Sequence, residues 1–326
     1  MISMAKLRLK TLKINNNSSK TVEECYSEYM DYCKSIGLRQ ATLVSKQRFY
    51  TYELLKHVSA DDEINIITQK KIEGWINSMI DYGYKGNTYQ TFVIKLKAFL
   101  TYCFTREYLK EYEVKIPNVI LEKKEIYTED ELKKLLKKPD LDTCLVGDYR
   151  SFATVSFLVG AGCRSTTLLN VRVKDIDFKK EMILFAHMKT KRQVNVPLSK
   201  SLKLILKDYI ETMNLKNEDI LFPKLDGTKM SYDTLHENLV NYFKHCKVKM
   251  RGVNTFRNTF ATMFVRNGGD IYRLKLLLGH SNIKTTERYV NLLPIDFKDD
   301  LLQYNPLDIL NKNKNCLLYT SLMARG

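Results

Sequence analysis

At 326 residues, 44% of them hydrophobic, the chain is long enough for two domains that each bury a core, which excludes disorder over most of its length. Its 53 Lys and Arg against 37 Asp and Glu leave a formal charge of +16, spread along the whole sequence, so an extended anionic partner is expected. The sequence has no run of about 18 or more apolar residues and no signal-peptide pattern, which favours nucleic acid over a membrane surface as that partner and a cytoplasmic location.

The N-terminus, MISMAKLRLKTLKINNNSSK, alternates charged with apolar residues and reads as a flexible basic arm over residues 1–18. Residues 19–112 read as a small domain of four helices with their punctuation in place. Thr21 and Glu24 form a capping box, Gly37 ends the first helix, ATLVSKQRFYTYELLKHV forms the second, Thr68 precedes the third and Gly83 closes it. Asn87 is expected to cap the long fourth helix, NTYQTFVIKLKAFLTYCFTREYL. Lys46, Arg48, Lys95 and Lys97 lie among aromatic residues here, and taken together as one face they are candidates for contact with DNA phosphates.

Residues 113–125 carry charges, a proline and no helical period, which suits an extended linker. A second capping box, Thr128 with Glu131, opens a second domain that spans 126–312. In it SFATVSFLVGAG reads as an apolar helix stopped by Gly160 and Gly162, and a short helix follows over 163–170. Then VRVKDIDF, MILFA and QVNVPL read as strands, with the basic HMKTKR as a hairpin tip, and the rest is helical. The fold class is therefore mainly α with a small antiparallel β-sheet, in two domains. Tyr272, at helical spacing from apolar residues, is expected in the core. Residues 313–326, which include CLLYTS, resemble a sequencing adapter read as protein and are expected to be non-native or disordered.

The seven cysteines show no C-x-x-C pair and the five histidines no H-x-x-x-H, which fits reduced thiols and gives no handle for a structural metal. Walker-type and G-x-G-x-x-G loops are both missing from the sequence, so ATP-driven and dinucleotide chemistry have no support either.

Four stretches bring cations and hydrogen-bond donors to points that one domain can gather: GAGCRSTTLL with Arg164, HMKTKRQVNVPL with Lys189, NTFRNTFAT with Arg257, and LGHSNIKTTERYV with His280 and Tyr289. In this order they resemble the catalytic domain of the tyrosine recombinase, or phage-type integrase, family, and the four-helix domain resembles that family's core-binding domain. The resemblance implies that Tyr289 is the nucleophile and that Arg164 and Arg257 clamp the scissile phosphate. It makes His280 a donor to a phosphate oxygen and Lys189 the general acid for the leaving 5′-oxygen; Lys191 and Arg192, beside Lys189 in the basic hairpin tip, are further candidates for DNA contact. The chemistry agrees with these residue types. A phosphodiester gathers negative charge on its non-bridging oxygens as it is attacked, and two fixed guanidinium forks stabilise that charge. A phenol with a pKa of ~10 must be positioned and relieved of its proton as it attacks.

Two positions depart from the family pattern: Asn254 stands where histidine is frequent, and Thr167 where an acidic residue is usual. An amide can hydrogen-bond phosphate but cannot exchange a proton near neutral pH. The resemblance further implies site-specific cutting and rejoining of duplex DNA through a 3′-phosphotyrosine, without cofactor, ATP or metal, in the service of a mobile genetic element. It implies a homotetramer on DNA, with the segment after Tyr289 docking on a neighbour, and accessory DNA-bending or directionality proteins. In a prokaryote the chain would be nucleoid-associated. A catalytically silent DNA-binding protein of the same fold and a DNA-relaxing enzyme of the type IB topoisomerase kind are the alternatives.

Overall fold

The computed structural model describes residues 20–119, 125–186 and 193–290. The basic arm, the hairpin tip with Lys189, Lys191 and Arg192, the segment after Val290 and the tail at 313–326 lie outside the described residues. The chain divides into two compact units, Met1–Glu122 and Lys123–Gly326. Among the described residues no helix is long and apolar enough to cross a membrane.

In the first unit, α1 (Val22–Ser35) starts at the Thr21/Glu24 capping box and gives way to Gly37 at φ +72°. It is followed by α2 (Gln40–Tyr52), α3 (Gln69–Asp81) and α4 (Gly86–Thr105), with two short 3₁₀ turns between α2 and α3. Thr68 caps α3 by accepting from the Lys71 amide. The four helices enclose an aromatic core in which Tyr26 stacks on Tyr50 at 4.4 Å and meets Phe99 edge-on, while Trp75, Phe92 and His57 form a second group. Such ring pairs add packing energy beyond the area they bury.

Asn87 does not cap α4. The extended backbone of Lys85 (ψ 144°) places the N-cap two residues earlier, and Asn87 lies inside the first turn. The close approach of Val119 explains the glycine that begins the helix: a Cβ on Gly86 would come within 2.9 Å of Val119 Cγ1. Residues 113–119, read as linker, do lack regular structure, yet Val114 is buried in this unit's core. Lys97 Nζ donates to the Val114 carbonyl at 3.0 Å and Gln90 donates to that of Pro117 at 2.9 Å, so this stretch is stitched to α4.

The second unit opens with α5 (Glu129–Leu135) behind its capping box. Its centre is α6 (Val146–Ala161), buried on nearly every side from Tyr149 to Leu158, as expected of an apolar helix without a polar face. Gly162, in the left-handed region at φ +58°, stops it; Gly160 does not, and stays within the helix against Leu202. After α7 (Ser165–Leu168) comes a three-stranded antiparallel sheet in the order β1 (Ile176–Asp177), β2 (Met182–Phe185), β3 (Val194–Pro197), with Ile183 opposite Val196.

The run VRVKDIDF is strand only at its end. The Asp175 carboxylate accepts from the Arg172 amide at 2.8 Å and closes a 3₁₀ turn over Val173–Asp175, which buries Val171 and Val173 ahead of the ladder that begins at Ile176. The remainder is helical: α8 (Lys200–Thr212), α9 (Tyr232–His245), α10 (Asn254–Arg266), α11 (Ile271–Leu278) and α12 (Lys284–Val290). Tyr272, expected in the core, is 65% exposed. The buried stripe of α11 runs through Leu274 and Leu278 instead, and Tyr272 sits on the opposite face with Leu276.

Candidate active site

Two glycine helix stops shape the site. Gly162 turns the chain at the end of α6 so that Arg164 begins α7, and Gly279, at φ +62°, turns it at the end of α11 so that His280 follows at once. Between them stands α10, whose one buried cation, Arg257, is 6% exposed. Arg257 Nη1 donates to the Gly162 carbonyl at 3.0 Å, and Nη2 donates to the Leu278 carbonyl at 2.7 Å and to His280 Nε2 at 2.8 Å. One guanidinium thus holds both glycine turns to one helix.

On the far side of His280, Nδ1 meets the hydroxyl of the fully buried Thr286 at 2.9 Å. The Tyr289 ring lies nearly parallel to the imidazole, at 12° and 6.3 Å between centroids, and is 4% exposed. Arg164 Nη1 is buried and has no hydrogen-bond partner among the described residues. A buried charged donor left unpaired is costly, and an anion would satisfy it.

The electrostatics follow from this crowding of cations. Burial, and then the Arg164 charge, lower the Arg257 pKa to about 10, while Tyr289 pulls it back up by charge and hydrogen bond. It stays protonated at neutral pH. Burial, followed by Arg257, Arg164 and Arg288, lowers the His280 pKa to about 4, so the ring is neutral. Burial pushes the Cys163 thiol, between the glycine stop and Arg164, up to about 12, which keeps it unreactive.

Of the residues singled out in the sequence, Arg164, Arg257, His280 and Tyr289 come together. Asn254 is exposed at the first turn of α10, three residues ahead of Arg257. Thr167 is buried within α7, its amide bonded to the Arg164 carbonyl at 2.9 Å. Lys189, Lys191 and Arg192 fall outside the described residues, although β2 and β3 on either side of them pair as a hairpin requires.

In the first unit, Lys46 donates to the Tyr29 hydroxyl and lies 4.5 Å from that ring's centre, and Lys95 pairs with Glu53 at 2.9 Å. Lys97 is held by Val114, and Arg48 is exposed. The sequence reading left Thr286 without a task. Its signal was present as a threonine six residues after His280, a spacing that gains meaning only once α12 is seen to fold back on the imidazole.

Residues 125–294, more than half of the chain, match the family model described as the phage integrase family. The chain belongs to that family. Among its relatives, the tyrosine recombinase XerA of Saccharolobus solfataricus is 29% identical over 242 residues, covering 73% of this chain and 78% of the relative. The tyrosine recombinase XerD of Staphylococcus haemolyticus is 24% identical and covers 88% of this chain and 99% of its own.

The fold is shared with the Tn1549 transposon integrase solved with a circular intermediate DNA (TM-score 0.69, 18% identity, 83% of this chain and 95% of that one). It is shared too with a lambda integrase dimer bound to a COC′ core site (TM-score 0.67, 17% identity, 82% and 97%). The integrase architecture expected from the sequence, helices with a small antiparallel sheet, is the one observed.

Proposed function

We propose that this integrase-family chain is a site-specific DNA recombinase that cuts and rejoins duplex DNA through a 3′-phosphotyrosine at Tyr289. The observation that carries the reading is the convergence of Arg257, His280 and Tyr289 with a buried, unpartnered donor on Arg164, an arrangement built for an anion beside a phenol.

In this reading the two guanidiniums grip the scissile phosphate, and Arg257 is already fixed by two backbone carbonyls, so little reorganisation is needed as charge develops. Lys189, which falls between β2 and β3 in the sequence, protonates the leaving 5′-oxygen, and Asn254 adds an amide donor at the edge of the site. The tyrosyl phosphate keeps the energy of the broken strand, so a second 5′-hydroxyl can reseal it without ATP or metal.

Residues 126–312 form the catalytic domain and 19–112 the core-binding domain, and duplex DNA is gripped through phosphate contacts to which Arg48, Lys191 and Arg192 contribute. A lambda integrase tetramer has been solved bound to a Holliday junction, and we extend that stoichiometry to this chain. Service to a mobile genetic element in the cytoplasm completes the proposal.

The test incubates the protein with duplex DNA from either side of its own gene, nicked near candidate sites so that a cut strand cannot religate. A denaturing gel is expected to show a protein–DNA adduct that Tyr289→Phe abolishes. Tight, salt-sensitive binding with no adduct would replace the recombinase by a silent DNA-binding protein.

A further inference from the structure

We propose that His280 accepts the phenolic proton of Tyr289 as the phosphodiester is attacked, and that Thr286 is the positioning residue that fixes the His280 tautomer for this task. The inference rests on the reading of Tyr289 as nucleophile given above.

Hydrogen-bond directions dictate the tautomer. A guanidinium has donors and no acceptor, so Arg257 Nη2, 2.8 Å from His280 Nε2, donates, and Nε2 presents its lone pair. The single proton of the neutral ring is then on Nδ1, where it is donated to Thr286 Oγ1 at 2.9 Å. Thr286 is fully buried, so no bulk water competes for that bond.

Tyr289 lies close enough to the same guanidinium to bear on its charge, and its ring is nearly parallel to the imidazole. The phenol and the Nε2 lone pair therefore lie beside one cation, which donates to the lone pair. When a phosphodiester takes over the Nη2 hydrogen given to His280, the lone pair is released while the Leu278 carbonyl still holds the guanidinium.

In the step, a bond forms between Tyr289 Oη and phosphorus and the P–O5′ bond breaks. The phenolic proton passes to His280 Nε2, and the leaving oxygen takes its proton from the general acid assigned to Lys189. Resealing runs the same transfers backwards. A lone pair held by Arg257 and freed by the substrate ties nucleophile activation to the presence of DNA. Asn254, an exposed amide, cannot take this proton.

Among the described residues, Arg257 from α10, Arg164 from the turn after α6, and Arg288 with Tyr289 from α12 are the charged and titratable groups that face the ring; the residues of β3, which also adjoins α11, add none. Burial and the neighbouring guanidiniums hold the imidazole neutral, and an incoming phosphate anion offsets those cations, which raises its basicity as the substrate arrives.

Two measurements on the full chain test the proposal. Nitrogen-15 NMR of the DNA-free protein should show His280 as the neutral Nδ1–H tautomer in wild type and Thr286→Ser, and lose that pattern in Thr286→Val. Single-turnover adduct formation on the nicked DNA should fall as pH drops from about 6.5 to about 4, between the ordinary imidazole pKa and that of the DNA-free site, as the imidazole protonates. Thr286→Val should be slower by roughly 10- to 100-fold, toward the lower end of what a general base contributes, with DNA binding unchanged. Asn254→His should restore rate to Thr286→Val, whereas Thr286→Ser should need no rescue.

An Nε2–H tautomer in wild type, a rate that is flat or rises toward acid, or a Thr286→Val protein as fast as wild type overturns the proposal while leaving the nucleophile in place. A wild-type chain that forms no adduct overturns the nucleophile reading and this inference with it.

Discussion

Replacing Gly162 by alanine should be among the most damaging single-methyl changes in the second unit. Gly162 sits at φ +58°, and an added Cβ would lie 2.3, 2.7 and 2.8 Å from Cδ1, Cγ and Cε1 of Phe260. Left-handed backbone costs an L side chain about 1–2 kcal/mol. Forcing a ring aside in packed surroundings adds about 1–3 kcal/mol. Together they predict a loss of about 2–5 kcal/mol.

Gly268 is the internal control, because it shares the left-handed geometry, at φ +78°, and has nothing within 4 Å of its would-be Cβ. Gly268→Ala should therefore show the backbone cost alone, about 1–2 kcal/mol. Urea unfolding of both variants and wild type, read as midpoint shifts at a common slope, separates the two contributions. The packing argument fails if Gly162→Ala is no more destabilised than Gly268→Ala. Because the Gly162 carbonyl holds Arg257 and Arg164 lies two residues on, Gly162→Ala should also slow adduct formation under conditions where it remains folded.

Stability should depend on pH through His280, whose pKa falls from its ordinary 6.5 to about 4 on folding. The sign is that of a depressed group: its stability is present above about pH 6.5 and is lost as pH falls through about 4, a swing of up to roughly 3 kcal/mol that His280→Asn should remove from the acid limb of an unfolding curve. Thr128→Ala removes the hydroxyl that accepts from the Glu131 amide and should cost about 1 kcal/mol in chemical denaturation; no change in midpoint would mean α5 does not depend on its cap. Arg257→Lys keeps the charge but cannot reach two carbonyls and a substrate oxygen at once, so adduct formation should fall by about 100-fold or more in the nicked-DNA assay.

Much of this was legible beforehand because the signals were local. The capping boxes at Thr21 and Thr128 and the glycine stops at 37, 83 and 162 act within one helical turn, so their chemistry is written in adjacent residues. Where longer-range contacts decided, the sequence misled. Asn87 looked like a cap because it is a good one, but the backbone at Lys85 already starts the helix beside Val119. The alternation in VRVKDIDF met a carboxylate placed to close a turn, and Tyr272 shared the spacing of apolar neighbours while facing outward. In the site, the four residues that converge were each marked by a motif. The bond between Arg257 and His280 was not, since it depends on two glycine turns more than a hundred residues apart in sequence arriving at one guanidinium.

That double anchoring bears on how descendants of such a chain would change. Arg257 fastens the turns after α6 and α11 to α10, so a lineage with no use for it in chemistry would still be selected to keep it for folding. Its presence in a sequence is thus a poor witness to activity. The Tyr289 hydroxyl is a better one: a phenylalanine fills the same space against His280 with little loss of packing, so drift would erase that oxygen early once nothing required it.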